Sequence, residues 1–366
     1  MDRRMRILII TGSFPPMKCG VGDYTFCLAE ALAKETVDVA VLTDRGARAS
    51  TSKTKYEIFP VIREWKFSAF RQIAKIVKRW KPDIVHIQYP TQGYRGSFFP
   101  FVLPPLLYFF NIKIVQTWHE YYTIGTVDWV LIPKFVTPGG IVAVRPNFIE
   151  RMPRKYRWLI RHKEFRFIPN ASAIPPVKIS DSEKLELHKK FTAHDKSLLV
   201  FFGFIYPQKG VELLFEIADP TKHHIVLIGV FDDADPYHKT VLKRIEQGPW
   251  HNNVTRAGFL PDMETAKILA AADAVVLPFR NGGGVWNTSL HAAALQGTFI
   301  LTTSLEKHGY VDSENIYYAK PGDVDDMKRA LNLYVGRKNS GSFLSQYATW
   351  ESIAKAHIDL YRVLLA

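Results

Sequence analysis

Three consecutive glycines, Gly282, Gly283 and Gly284, precede a polar trio, Asn287, Thr288 and Ser289, within the stretch from Asp273 to Thr303, DAVVLPFRNGGGVWNTSLHAAALQGTFILTT. Glycine lets a main chain approach a ligand closely, and Asn, Thr or Ser ahead of an alanine-rich run marks a helix start. With an apolar run on either side, the stretch reads as strand, glycine loop, helix, strand. In a parallel sheet that order leaves the loop and the first N–H groups of the helix at the strands' carboxyl ends, where an anion, most naturally a phosphate, is stabilised. The same residues also suit a flexible turn capped by Asn287 or Ser289 that binds nothing. Upstream, VFFGFIYPQKGVELL sets Gly203 at a strand end and Lys209 at a helix start. An ammonium group beside fixed main-chain dipoles suits a departing diphosphate, because charge builds on the leaving oxygen as its bond breaks; Lys209 alone would be an ordinary surface lysine. His119 follows the strand KIVQT on the edge where such sheets hold ligands, and is either a structural or a functional histidine.

The elements that must position these residues alternate along the chain. In the first half, strands are expected at Met5 to Thr11, Val37 to Thr43, Ile84 to Gln88, Lys113 to Thr117 and Ile141 to Val144, with a helix from Tyr24 to Glu35. The loop before that helix, GSFPPMKCGVGDY, carries Gly12, Gly20 and Gly22 without the tight G-x-G-x-x-G spacing of dinucleotide sites. PNASAIPPVKISDS reads as an interdomain linker. A second alternating set follows, with strands at Leu198 to Phe202, Ile225 to Ile228, Val254 to Ala257, Ala274 to Leu277, Phe299 to Thr302 and Ile316 to Ala319. Its helices are expected at Val211 to Ile217, Met263 to Ala271 and Val324 to Tyr334, with a terminal helix from Trp350 to Leu365. The fold class is α/β, two Rossmann-like, doubly wound parallel-sheet domains facing a cleft. Residues 1–170 form the N-terminal domain, 171–346 the C-terminal domain, and 347–366 a helix that returns to the first.

Composition narrows the function classes. A chain of 366 residues with 47% hydrophobic and 23% charged residues is globular, and its length suggests two domains. Cys19 and Cys27 are too few for a disulfide framework or a zinc site, which fits a cytoplasmic setting. Met5 to Ile10 is too short an apolar run for a signal peptide, and the greasy stretch Ser97 to Phe110 is broken by three prolines. A net charge of +13 raises nucleic acid and anionic membrane as partners. The charge concentrates in Arg63 to Lys81 and Arg145 to Arg166, where Lys and Arg alternate with apolar residues. That pattern suits amphipathic helices on a lipid surface better than a nucleic-acid groove, or else simply solvated helix faces. The segment FDDADPYHK holds Asp232, Asp233 and Asp235 in a D-x-D pattern that can bind a metal with a sugar diphosphate.

Taken in order, the GVGDY loop, KPDIVHIQYP, WHEY, FIPNAS, FGFIYPQKG, AGFLPDMETAKILAAADAVVLPF and ATWESIAKAHIDLYRVLL resemble the GT-B glycosyltransferases, specifically retaining family four, over essentially the whole length. The resemblance implies sugar transfer from a nucleotide-diphosphate donor with retention, without an obligatory metal, to a glycan or lipid-linked acceptor in surface polysaccharide or glycolipid assembly. It implies Gly20 and Gly22 beside the donor phosphates, His119 near the reacting sugar and Lys209 on the diphosphate. Gly203, Gly283, Gly284 and the amides of Trp286, Asn287, Thr288 and Ser289 would complete the phosphate site, and Gly258, Phe259 and Leu260 would flank the nucleotide base. The chain departs from the family's paired-glutamate motif, with Gly284 and Ala292 at those two places, and has Phe204 where an arginine usually follows the glycine. These departures leave open a catalytically idle sugar-nucleotide- or glycan-binding subunit of a partner enzyme. The expected localisation is cytoplasmic, either soluble or peripheral at the inner membrane face.

Overall fold

The computed structural model describes residues 3–50, 54–120, 132–192, 196–246, 248–284, 286–339 and 348–366. Tyr121 of WHEY, Val285 of the glycine stretch and the domain boundary at 346/347 lie outside them. The chain divides into two compact units, Met1–Asn170 with Ala348–Ala366, and Ala171–Tyr347.

Unit 1 contains strands β1 (Met5–Ile10), β2 (Val37–Asp44), β3 (Glu57–Ile62), β4 (Ile84–Tyr89), β5 (Lys113–Trp118), β6 (Gly140–Ala143) and β7 (Glu164–Phe167). Its helices are α1 (Gly20–Leu32), α2 (Phe70–Trp80), α3 (Phe99–Tyr108), α4 (Ile132–Val136), α5 (Phe148–Arg151) and α6 (Arg154–Ile160). The sheet runs β3-β2-β1-β4-β5-β6-β7, every neighbouring pair parallel, with the order reversing at β1. β1 and β4 are almost wholly buried, as continuous apolar runs such as ILII and IVHI require when helices cover both faces. The β3 segment EIFPVI contains Pro60, which cannot donate to a ladder and is therefore confined to a sheet edge, where β3 lies.

Unit 2 contains α7 (Asp181–Phe191), β8 (Ser197–Phe202), α8 (Leu214–Ile217), β9 (His223–Ile228), α9 (Pro236–Glu246), β10 (Val254–Arg256), α10 (Asp262–Ala271), β11 (Ala274–Leu277), α11 (Thr288–Ala294), β12 (Ile300–Thr303), β13 (Gly309–Val311), β14 (Ile316–Ala319) and α12 (Val324–Tyr334). Its sheet order, β10-β9-β8-β11-β12-β14-β13, repeats the reversal, here at β8. β13 is antiparallel to β14, so this sheet is not parallel throughout. The short connection between them, the 3-10 turn Asp312–Glu314 and Asn315, can only reverse the chain, whereas a parallel neighbour needs a long crossover.

The final helix, α13 (Trp350–Leu365), belongs to unit 1. It opens with a capping box between Thr349 and Ser352 and buries Ile353, Ala354, His357, Ile358, Leu360 and Tyr361.

Other elements differ from the expectations. α1 starts at Gly20 rather than Tyr24, because extended Cys19 accepts the Asp23 N–H and opens the helix early. The linker ends in an unexpected helix, α7, whose N-cap Ser180 and Glu183 form a reciprocal capping box. The expected helix from Val211 is a tight 3-10 turn, Val211–Leu213, followed by the single turn of α8. Of the two basic segments, only Arg63 to Lys81 yields a sustained amphipathic helix, α2. Arg145 to Arg166 breaks into α5, α6 and β7.

Candidate functional site

In unit 2 the carboxyl ends of β8 and β11 bring two of the sequence-selected features together. Gly203 follows β8 with φ of 143°, a conformation that L side chains rarely adopt, and a side chain there would point at Ser289, whose Cβ and Oγ lie 3.9 and 4.0 Å from the Cβ position. Lys209 ends a 3-10 turn, Pro207–Lys209, and its Nζ sits 4.5 Å over the ring of Phe279 on the chain leaving β11. The Arg280 N–H donates to the Gln208 carbonyl at 3.0 Å, tying the two loops together. Beneath them buried Glu212 accepts from Arg280 and from the Tyr237 hydroxyl, while the Val211 N–H donates to that hydroxyl at 3.0 Å. The loop carrying Lys209 is thus braced.

The glycine loop is less open than the sequence implies. The Gly283 N–H donates to the Thr303 carbonyl at 2.7 Å, the Gly284 N–H to Asn287 Oδ1 at 2.9 Å and the Asn287 N–H to the Gly284 carbonyl at 2.9 Å. Three amides of the expected phosphate cradle are therefore engaged within the chain, and Asn287 ties back the loop rather than capping α11. Trp286 lies over the same turn: a Cβ on Gly284 would come within 2.4 Å of its indole. The amides of Thr288 and Ser289 open α11 and have no acceptor among the described residues. With seven residues, α11 is also a short dipole. His291 is buried one turn further on.

Gly258, Phe259 and Leu260 follow β10, two strands from β8. Gly258 takes a left-handed φ of 71°, Phe259 is 79% exposed and Leu260 packs partly on the core, so an aromatic ring is presented at this end of the sheet. The aspartates of FDDADPYHK serve the local fold. Asp232 Oδ1 accepts the Ala234 N–H, and Asp235 Oδ1 accepts those of Tyr237 and His238 at the start of α9. Among the described residues no three His, Cys, Asp or Glu side chains gather where they could hold a metal.

In unit 1 the corresponding edge is buried and hydroxyl-rich. The His119 N–H donates to the Tyr89 carbonyl at 2.7 Å, its Nε2 lies 2.9 Å from Gln88 Oε1, and its ring meets Tyr24 edge-on at 4.7 Å. Burial, then the charge of Arg145, pushes its pKa down to about 3, so the ring is neutral. A neutral ring donating from Nε2 keeps Nδ1 as an acceptor, a hydrogen-bonding tool rather than a store of protons. Behind it, His86 lies 2.6 Å from Thr117 Oγ1 and 2.7 Å from the Tyr361 hydroxyl, and His357 Nδ1 lies 2.8 Å from the Ile353 carbonyl. α13 thus supports the strands that carry His119.

Gly20 and Gly22 lie within α1 rather than in the loop before it. Gly20 is exposed at the first position of α1. Gly22 is buried one turn in, where a side chain would meet the Ser13 main chain at 3.2 Å. Gly22 therefore allows the close approach of α1 to the loop after β1.

Sequence reasoning passed over a polar cluster on this edge. Asp44 closes β2 at 4% exposure; its Oδ1 accepts the Gly46 N–H and its Oδ2 is 3.8 Å from Arg95 Nη2. Asp44 Oδ2, Thr43 Oγ1, Gln88 Nε2, Thr91 Oγ1 and the Tyr94 hydroxyl are buried without a hydrogen bond among the described residues. Each such group costs about 1–3 kcal/mol when left unsatisfied, so water or a hydroxylated ligand entering this edge gains ready partners. The available signal was the polar pair Thr43-Asp44 ending an otherwise apolar strand.

The comparisons fit this architecture. Residues 19–196 match the model of Glycosyltransferase Family 4, and residues 196–335 that of Glycosyl transferases group 1. Among curated proteins, the phosphatidylinositol N-acetylglucosaminyltransferase GPI3 subunit of Saccharomyces cerevisiae is 24% identical over 97% of this chain and 82% of its own. Sucrose-phosphate synthase of Thermosynechococcus elongatus superposes with a TM-score of 0.76 at 17% identity, covering 99% of each chain. HepE of Anabaena, solved with UDP and glucose, does so at 0.69 and 15%, covering 99% of this chain and 98% of its own. With two successive glycosyltransferase models spanning residues 19–335 and GT-B structures matching the whole length, the chain belongs to the GT-B glycosyltransferases.

Proposed function

We propose that this glycosyltransferase moves a sugar from a nucleotide-diphosphate donor, held on unit 2, to a glycan or lipid-linked acceptor, held on unit 1, with retention at the anomeric carbon. The observation that carries the reading is the convergence of Gly203, Ser289 and Lys209 at the carboxyl ends of β8 and β11. Lys209 meets the charge that grows on the diphosphate as the sugar's anomeric C–O bond breaks, and the amides of Thr288 and Ser289 add fixed dipoles. Trp286 and Asn287 shape the loop, Gly283 and Gly284 let it fold tightly, and Gly258, Phe259 and Leu260 receive the base, with Phe259 exposed for stacking. HepE's complex with UDP-glucose supports a nucleotide-sugar donor. The acceptor hydroxyl forms the new bond on the face from which the diphosphate departs and gives its proton to the departing diphosphate oxygen, while neutral His119 orients it by hydrogen bonding.

The acceptor class rests on the buried Asp44, Thr91 and Tyr94, a carboxylate and hydroxyls suited to a polyhydroxylated ring, and the relative acting on phosphatidylinositol supports a lipid-linked one. The setting is surface glycolipid or polysaccharide assembly in the cytoplasm. Purified chain incubated with a panel of labelled nucleotide sugars should release nucleoside diphosphate, and Lys209→Ala should slow that release by about 10²–10³-fold while leaving the melting temperature unchanged. Release by the variant at the wild-type rate overturns the assignment. A second reading, an idle sugar-nucleotide-binding subunit, is favoured by the absent glutamates and the engaged amides of Gly283 and Gly284. It predicts donor binding without release for any donor or acceptor.

A further inference from the structure

One face of unit 1 carries aromatic and basic side chains that the transfer reaction does not use. α2, FRQIAKIVKRW, buries Ile73, Val77 and Trp80 and exposes Arg71, Lys75, Lys78 and Arg79. None of these four cations is in an ion pair among the described residues, and neither α2 nor α3 contains an acidic residue. The nearest acids by sequence are committed: Asp83 pairs with Arg3 and accepts the Arg6 N–H, Glu64 pairs with Lys66, and Glu57 accepts from Trp80 Nε1 at 2.9 Å.

Beside the cations lies a set of rings that the core does not cover. Phe67 is 55% exposed and meets Phe98, itself 52% exposed, at 6.1 Å. Phe70 meets Phe110 at 6.2 Å, and Lys78 Nζ lies 5.8 Å from the Phe110 ring. Tyr108 and Phe109, the latter 85% exposed, precede Phe110 in the turn that ends α3. Phe67, Phe70, Arg71, Lys75, Lys78 and Phe110 line a groove of about 1120 Å³. That exceeds the roughly 300–1,000 Å³ of sites that enclose one small molecule, as fits an extended surface rather than a ligand pocket.

We infer that this face docks onto an anionic lipid bilayer, Arg71, Lys75, Lys78 and Arg79 meeting lipid phosphates while Phe67, Phe98, Tyr108 and Phe109 enter the interface. Charge complementarity selects this occupant: unpaired cations beside exposed rings match a surface that is negative at the headgroups and apolar just below. A protein partner would have to desolvate four cations against acids of its own, and a second copy of this chain would oppose like charges. The face also adjoins the polar edge. Trp65 is two residues from Phe67, meets the Tyr94 ring at 4.8 Å, and its carbonyl accepts from the Ser97 hydroxyl, next to Phe98. A bilayer here lies beside Tyr94, so a lipid-borne acceptor would enter from it, a point that rests on the transfer reading; the docking itself does not.

The test is co-sedimentation of the full chain with vesicles of phosphatidylcholine alone or mixed equally with phosphatidylglycerol. Binding is expected only to the mixed vesicles and should weaken as salt rises. Lys75→Glu with Lys78→Glu should lower the vesicle affinity by on the order of 10²-fold, since each cation contributes about five-fold and reversal does more than removal. Phe109→Ser, at a side chain exposed enough to leave folding intact, should lower it several-fold. Release of nucleoside diphosphate in solution should be unchanged in both variants, which separates failure of docking from failure of the transfer reading. Equal binding to both vesicle types, no binding to either, or binding indifferent to charge reversal overturns the proposal. So does a wild-type dimer that Phe109→Ser dissociates in a chain that ignores vesicles, which would assign the face to a second copy.

Discussion

The two sheets share the order of their first five strands, each reversing beside its central strand, and differ at the far edge, yet their carboxyl edges carry opposite chemistry. The unit 1 edge is buried and rich in hydroxyls, with its histidines held neutral. The unit 2 edge is built from main chain, glycine and a lysine poised over a ring. An edge of the first kind suits a ligand that is neutral and multiply hydroxylated, because a buried charge would have few partners there. One of the second kind suits a charged ligand that arrives and leaves, because amides and an ammonium group stabilise an anion without deep burial. The reversing parallel core is common to both units; the function separates at the strand ends.

The largest expected effect falls on unit 2. Lys209→Ala should lower kcat for sugar transfer by about 10²–10³-fold, the scale of removing one donor from a developing charge, with little change in acceptor KM. If acceptor KM rises while kcat holds, the division of labour between the edges is wrong.

On unit 1 the network behind His119 is the point to strike. Tyr361→Phe leaves the buried His86 Nδ1 without its 2.7 Å partner and should destabilise the protein by about 1–3 kcal/mol, read by denaturant titration. Phe259→Ala, at a ring exposed to solvent, should leave stability unaltered and weaken donor binding.

Acid should expose the same asymmetry. Burial depresses the pKa of His119 to about 3 and of His357 to about 4, and lowers that of His86. For groups so depressed, the unfolded chain takes up protons that the folded chain refuses. Their stability contribution is therefore intact above the unfolded value near 6.5 and is lost as pH falls toward 4 and then 3. The loss is about 1.4 kcal/mol per pH unit for each histidine. His357→Gln should flatten the fall of stability between pH 6 and 4, roughly and by one histidine's share, as followed by thermal melts.

A subtler contrast concerns the acceptor. Tyr94→Phe removes a buried hydroxyl that has no partner among the described residues, so it should not lower stability. It should raise acceptor KM several-fold and leave donor KM alone. Lost stability with an unchanged KM would make Tyr94 a structural residue.

Much of the frame was legible in the sequence because fully buried parallel strands read as unbroken apolar runs. Ala274–Leu277 and Ile316–Ala319 fall at the expected residues, and helices α12 and α13 do too. β3 escaped because Pro60 lies inside it, and α7 because its capping box sat within a stretch dominated by proline and serine. The site was less legible. Gly203, Lys209 and Ser289 were chosen by type and order, and the fold brings Gly203 to Ser289 and Lys209 against the loop after β11. The engagement of the Gly283 and Gly284 amides could not be foreseen, since it depends on Thr303 one strand away and on which way Asn287 turns. Asp44 and Tyr94 were missed for a similar reason, as neither forms a motif and only the reversal of strand order at β1 makes them neighbours of one edge.

The central claim, that unit 2 grips the donor's diphosphate through the chain after β8 and the start of α11, is tested most directly by amide hydrogen exchange with and without a panel of nucleoside diphosphates. The account predicts that at least one of them slows exchange in residues 203–210 and 286–290 and that Lys209→Ala erases the effect. Protection confined to unit 1, or none with any nucleoside diphosphate, would contradict it.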